Sequence, residues 1–270
     1  MTKTKIPWAD FVWNPTTGCS PCSPACEHCF AKRLAEGWLR GRCGYPADEP
    51  FRVTLHPERL DAPLHMKKPS RILVTSMGDL FHEDVPDTFI KTVWCTMFKR
   101  PQHTFIILTK RAGRMREVLS PFPFLANVWL GVSVWDQASA DAAWEQLRQT
   151  PAAVRFMSYE PALGPVDFTR MLGLDKAASP VVLSLIIAGG ETGPGARVCN
   201  ADWLCGAWRQ CQAAGVAFFF KGPGDNFVGS GSECADWQTV RMCREFPEAR
   251  QRRQDNDDTS TGMEKTKGVL

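Results

Sequence analysis

No run of about 18 apolar residues occurs in this 270-residue sequence, so it offers no membrane-crossing helix. The opening residues Met1-Thr2-Lys3-Thr4-Lys5-Ile6-Pro7 lack the apolar core of a secretory signal, and a cytoplasmic protein is expected. A strong charge of one sign is also missing: 32 Lys and Arg stand against 29 Asp and Glu, a formal net of +3. That balance is too small to argue for a nucleic-acid partner. Local basic clusters do exist, at Lys67, Lys68 and Arg71, at Lys99 and Arg100, and at Lys110, Arg111, Arg114 and Arg116. They read either as phosphate-facing loops or as solvated helix faces. No repeat of fixed period is found. What is plentiful is cysteine, with eleven residues. In a reducing compartment these are not expected to be disulfide staples, and metal binding or catalysis becomes the better reading.

Hydrophobic residues make up 44% of the chain, enough for a sizeable core. Short apolar runs recur at residues 71–76 (RILVTS), 104–109 (TFIILT), 128–134 (VWLGVSV), 153–158 (AVRFMS), 182–188 (VLSLIIA) and 216–220 (VAFFF), with a further candidate strand near residues 8–13. They lack polar/apolar alternation, which suits parallel strands buried on both faces. Helix candidates lie between them at 85–98, 111–119, 138–149 and 203–214. The alternation predicts an α/β fold with a parallel sheet, a full or partial (βα) barrel over residues 1–245, with a doubly wound open sheet as the alternative. Residues 246–270 are charged and polar and are expected to form a disordered tail.

The runs end alike. They exit into Ser76-Met77-Gly78-Asp79, Thr109-Lys110-Arg111, Ser133-Val134-Trp135-Asp136, Ser158-Tyr159-Glu160-Pro161 and Gly189-Gly190-Glu191-Thr192. Barrels place their active sites at the C-terminal ends of strands, so five polar exits in succession suggest one shared site.

The strongest motif lies in the loop of residues 18–30, where Cys19, Cys22, Cys26 and Cys29 are spaced C-x2-C-x3-C-x2-C. Thiolates select zinc, copper(I) or iron–sulfur clusters. Zinc sites usually join two CxxC pairs across a dozen or more residues. A run this dense suits an iron–sulfur cluster better, with zinc and redox-active or inert thiols as the alternatives.

Cys22, Cys26 and Cys29, spaced C-x3-C-x2-C and followed by Phe30, resemble the cluster motif of radical S-adenosylmethionine enzymes. The resemblance implies a [4Fe–4S] cluster with three irons held by thiolates and a fourth open to the amino and carboxylate groups of S-adenosylmethionine. It further implies reductive cleavage of the sulfonium to a deoxyadenosyl radical, and a full or partial βα barrel. A closer resemblance covers about residues 8–224. Trp13-Asn14-Pro15-Thr16-Thr17-Gly18-Cys19, Cys26-Glu27-His28-Cys29, Asp79-Leu80-Phe81-His82, Leu108-Thr109-Lys110-Arg111, Ser158-Tyr159-Glu160-Pro161, the stretch from Gly189 to Arg197 and Phe218-Phe219-Phe220-Lys221 are similar to a phage and prophage family. That family carries a three-cysteine motif, is of undetermined function and is related to radical S-adenosylmethionine proteins. Its cysteines match Cys19, Cys26 and Cys29, with an apolar residue in the place of Cys22. Either Cys19 or Cys22 therefore completes the triad, or both bind and close all four irons, which would make an electron carrier or structural cluster protein. Where the family continues with Gln-Trp after Lys221, this chain has Gly222-Pro223-Gly224.

The resemblance makes Ser76, Gly78 and Asp79 candidates for the cofactor's amino group, with a helix cap as the plain alternative for Asp79. Gly189, Gly190 and Glu191 read as a ligand-binding turn, and Ser133 and Glu160 as further cofactor contacts. Lys110, Arg111 and Arg197 are candidate anion binders. His28, His82 and His103 are candidate ligands or proton carriers. Cys43, Cys95, Cys199, Cys205, Cys211, Cys234 and Cys243 show no cluster spacing, and Trp8, Trp13 and Trp38 are expected to shield the loop. The implied partners are an unidentified substrate, with nucleic acid, a nucleobase or a nucleotide among the candidates, and an electron donor; a zinc-stabilised nucleic-acid-binding module is the remaining alternative.

Overall fold

Apolar runs without alternation must bury both faces, and here they do so in one mostly parallel sheet. The computed structural model describes residues 1–175, 180–229 and 235–247. Its strands are β1 (Thr2–Lys3), β2 (Phe11–Trp13), β3 (Thr16–Thr17), β4 (Thr54–Leu55), β5 (Arg71–Val74), β6 (Thr104–Thr109), β7 (Val128–Val134), β8 (Val154–Tyr159), β9 (Leu185–Gly189), β10 (Cys199–Asn200), β11 (Ala217–Gly222) and β12 (Phe227–Val228). The helices are α1 (Phe30–Glu36), α2 (Asp87–Phe98), α3 (Ala112–Leu119), α4 (Gln137–Leu147), α5 (Ala201–Ala214) and α6 (Trp237–Met242).

The main sheet has eight strands in the order β1-β2-β5-β6-β7-β8-β9-β11. Only β1 is antiparallel to its neighbour. The order follows the chain without reversal, unlike a doubly wound sheet. Right-handed crossovers between neighbours taken in this order put every connecting helix on the same face. The packing agrees. One core joins Ile72, Val74, Phe105, Ile107, Leu130, Val132, Met157 and Ile186 of the strands to Ile90, Trp94, Met115, Trp144 and Leu204 of the helices. The other, on the opposite face, holds Val12, Leu73, Ile106, Trp129, Phe156, Leu185, Ile187 and Phe219 with Trp8 and Ala9, and no helical residue. There the strands pack largely on one another's side chains. Gly131 shows how: its partner across the ladder is Phe156, whose ring fills the place a side chain at 131 would occupy.

Local chemistry sets the boundaries. β5 stops at Val74 because Thr75 takes a left-handed φ of +58° and its amide bonds to the Trp13 carbonyl at 2.7 Å. The Ser76 and Met77 amides then turn to the Asn14 side chain at 2.8 and 3.3 Å. α4 starts on a capping box formed by Asp136 and Ser139. α5 begins at Ala201, capped by Asn200, and ends at Gly215 with φ +68°. The tail expected over residues 246–270 lies outside the described residues beyond position 247, as does Cys234.

Candidate functional site

The strand exits and the cysteine loop meet in a cavity of about 460 Å³. Its walls include Cys19, Cys22, Cys26 and Cys29 together with Ser76, Gly78, Asp79, Ser133, Glu160, Gly190 and Glu191. Of the candidate cluster and cofactor contacts, Gly189 is the exception: it ends β9 with its backbone packed on Gly222, and does not line the cavity.

Backbone contact brings the loop to the sheet. Gly18 bridges Gly78, and its amide bonds to the Met77 carbonyl at 2.9 Å. A Cβ on Gly78 would stand 2.5 Å from the Gly18 carbonyl oxygen, and Gly18 itself has φ +83° against the Arg52 carbonyl. Both glycines are required by this close approach. Gly78 therefore positions the loop, and Ser76 is tied to Asn14, a residue to which the sequence reading gave no role.

Two ion clusters then clamp the loop. At its start stands Arg111, buried at the exit of β6. Its Nε donates to Glu83 at 3.0 Å, Nη1 to Asp79 at 3.4 Å and to the Cys19 sulfur at 3.3 Å, and Nη2 to the Ser20 carbonyl at 3.0 Å. Asp79 also accepts from the Thr109 hydroxyl at 2.7 Å, the Lys110 amide at 3.2 Å and the Phe81 amide at 3.0 Å. Its carboxylate is thus tied into this network while it lines the cavity. His82 joins the clamp through the Ser20 hydroxyl at 2.7 Å.

The second clamp holds the loop's far end. Glu191 accepts from His28 Nδ1 at 2.9 Å and from Arg197 Nε and Nη2 at 3.0 and 2.6 Å. Arg197 also donates to the Pro24 carbonyl at 3.0 Å. Burial works against the charge on Glu191, but the hydrogen bonds from Arg197 and His28 overcome it and hold the carboxyl down at about 2. Glu191 thus fixes His28 at the cavity wall. Glu160 is paired with Lys221. Gly190 packs against the Pro223 carbonyl, where a side chain would collide.

The thiols differ from one another. Burial and the Asp79 charge push Cys19 up to about 11 despite Arg111. Cys22 and Cys26 share a hydrogen bond that raises the first and, with Ser23, lowers the second to about 4. Among the described residues, no three His, Cys, Asp or Glu side chains gather closely enough to chelate one ion.

With this geometry in place, comparison adds a family. Residues 3–261 match the model described as protein of unknown function (DUF5131). The chain belongs to that family. No curated protein and no solved structure matches it.

In this DUF5131 chain the other candidates scatter. His103 is buried far along β6's opposite end, against the Met66 carbonyl. The basic residues divide as well: Arg71 and Arg100 sit at the N-terminal side of β5 and β6, whereas Lys110 and Arg111 sit at the site. Trp8 and Trp13 are buried, but Trp38 is 67% exposed and cannot shield the loop. The expectation that no cysteine serves a disulfide fails at Cys205, which is disulfide-bonded on the buried face of α5. Cys199 and Cys211 are buried and do not line the cavity, Cys199 packing behind Gly190 of its wall.

Proposed function

We propose that this chain is a radical S-adenosylmethionine-like enzyme, holding a [4Fe–4S] cluster on the cysteine loop and modifying a small substrate, a nucleobase or nucleotide being the leading class. The observation that carries this reading is that four soft thiols face one cavity at the C-terminal edge of a parallel sheet, beside the strand-exit residues. A full or partial barrel is the finer fold reading. It is supported by the unreversed strand order and by a helix-free face on which the strands pack against one another.

The donor set fits a cluster. Thiolates are the ligands such clusters take. A single tetrahedral zinc draws its ligands to one point. A four-iron cube instead spreads them over separate irons, which suits thiols that share a wall without converging. Phe51, Ala25 and Ala31 supply an apolar lining beside them. Cys26 and Cys29, with Cys19 or Cys22, would hold the cluster, which when bound supplies the electron for reductive cleavage of the sulfonium. Arg111 and Glu191 act on the chain itself: they fix the two ends of the loop and so the directions of its thiols. A closed, non-catalytic cluster on all four cysteines is the second reading, favoured by the Cys22–Cys26 contact.

The test is the iron, sulfide and zinc content of anaerobically purified protein, with EPR of the dithionite-reduced form. A [4Fe–4S]⁺ signal that shifts when S-adenosylmethionine is added, with release of deoxyadenosine, is expected. An unshifted cluster signal would support the closed site, and stoichiometric zinc without iron would overturn both readings.

A further inference from the structure

The charges of the cavity wall can be accounted for one by one. Asp79 is committed to Arg111, Thr109 and backbone amides. Glu160 is paired with Lys221, and Glu191 with Arg197 and His28. Arg111 spends its donors on Glu83, Asp79, Cys19 and Ser20. Lys110 alone among the charged side chains of the wall has an ammonium with no hydrogen-bond or carboxylate partner among the described residues, although its charge reaches the Cys26 thiol and helps to lower it. The unpaired polar groups beside it are donors too. The hydroxyls of Ser133, 7% exposed, and Ser158, 1% exposed, line the cavity with no hydrogen-bond partner among the described residues. So does Trp8, whose buried indole N–H is unsatisfied.

Three of these groups form a row. Ser133 and Ser158 are register partners across β7 and β8. Thr109 pairs with Val132, so Lys110, one residue on, stands level with Ser133 at the exit of β6. Adjacent strands are about 4.8 Å apart, which brings an ammonium and two hydroxyls within reach of one small group. Ser133 and Ser158 stand two positions beyond Gly131 and Phe156 on their strands, on the face where Phe156 packs, and Leu108, two positions before Lys110, packs on that core and lines the cavity.

A cavity whose carboxylates are all paired, and whose unpaired groups are an ammonium, an indole N–H and two hydroxyls able to donate, suits a ligand rich in acceptors. We infer that Lys110, with Ser133 and Ser158, forms an anion-recognition row that anchors a carboxylate or phosphate of the ligand. The row follows from the cavity alone; the choice of S-adenosylmethionine as one probe rests on the function proposed above. Two sources share this chemistry, the methionyl carboxylate of that cofactor and a phosphate of the substrate.

Calorimetric titration of the purified full chain with two matched pairs separates them: S-adenosylmethionine against its decarboxylated analogue, and adenosine 5′-monophosphate against adenosine. In at least one pair the anionic member is expected to bind about tenfold or more tightly. Lys110→Met should erase that preference and Lys110→Arg should keep most of it. The identity of the pair names the source. Equal binding within both pairs by the wild type, or an undiminished preference in Lys110→Met, would overturn the inference. Should Lys110→Met not fold, Lys110→Gln is read in its place on the same two pairs, and an undiminished preference there would equally overturn the inference. Iron content measured on the same samples keeps the two ideas apart. Anion preference without iron removes the cluster and leaves the row, whereas a cluster without anion preference does the reverse.

Discussion

Replacing Arg111 with Met tests whether the loop is held by charge or merely rests on the sheet. The guanidinium and the Asp79 carboxylate are each buried, with side-chain exposures of 5% and 7%. Removing one partner leaves the Asp79 carboxyl group among a hydroxyl and two amides, without the arginine. Breaking a buried pair from one side costs about 3–5 kcal/mol. For a chain of this size that corresponds to a fall of roughly 6–20 °C in the unfolding midpoint. Glu83 adds little, because its side chain is 66% exposed and its attraction is screened. The assay is thermal and urea unfolding followed by circular dichroism and tryptophan fluorescence together, on Arg111→Met, Asp79→Asn and the double variant. Asp79→Asn alone strands the arginine, so each single change should cost more than half of the double. The cycle should then show a coupling of about 1–3 kcal/mol. A loss under about 1 kcal/mol for Arg111→Met, or strict additivity, would refute a clamp.

Glu191 sets an acid limit. Its folded-state carboxyl is held at about 2 against an ordinary 4.5, so its stabilisation is full above about pH 5 and drains away as pH falls toward 2. Glu191→Gln should flatten the stability profile between pH 5 and 2, and an unchanged slope there would count against the His28–Glu191–Arg197 cluster. Gly131→Ala should destabilise the protein by about 1–3 kcal/mol, since its methyl group would enter the Phe156 ring. Phe156→Leu should recover part of that loss when combined with it, and no recovery would mean that the backbone at 131, not the ring, is the obstacle. Gly18→Ala combines a left-handed φ with a collision on the Arg52 carbonyl. It should raise the alkylation rate of the loop cysteines by freeing them from Gly78, as read by mass spectrometry under native conditions.

Much of the architecture was legible because burial on both faces writes uninterrupted apolar runs. β6 and β7 fall on the residues read from the sequence, 104–109 and 128–134. Where bounds moved, a long-range partner moved them. The run 71–76 loses its last two residues because Asn14, some sixty positions earlier, takes the Ser76 amide. The run 182–188 starts pairing only at Leu185, where β8 begins to face it. The site's membership was legible for a similar reason: in parallel sheets of this order all polar exits collect at one edge. The roles of its carboxylates were not. Asp79, Glu160 and Glu191 look like ligand contacts until their cations appear, from 32, 61 and 6 positions further on. Nothing local in Ser-Met-Gly-Asp or Gly-Gly-Glu distinguishes a carboxylate awaiting a ligand from one already neutralised. The glycine pair Gly18 and Gly78 carried a usable signal, since isolated glycines at strand exits mark close backbone approach.

The two clamps also bear on how the loop can work. Arg111 leaves β6 and grips Cys19 and Ser20; Glu191 leaves β9 and grips His28, with Arg197 reaching Pro24. β7 and β8 lie between these strands, and the loop shares one cavity with Ser133 and Ser158 at their exits. Cys22 is exposed and sits midway between the clamps. Losing one clamp should therefore free one end of the loop while the other stays docked. Alkylation of Cys19 should rise in Arg111→Met and that of Cys29 in Glu191→Gln, each without the other. If both sulfurs respond to either change, the loop moves as one rigid piece rather than from an end.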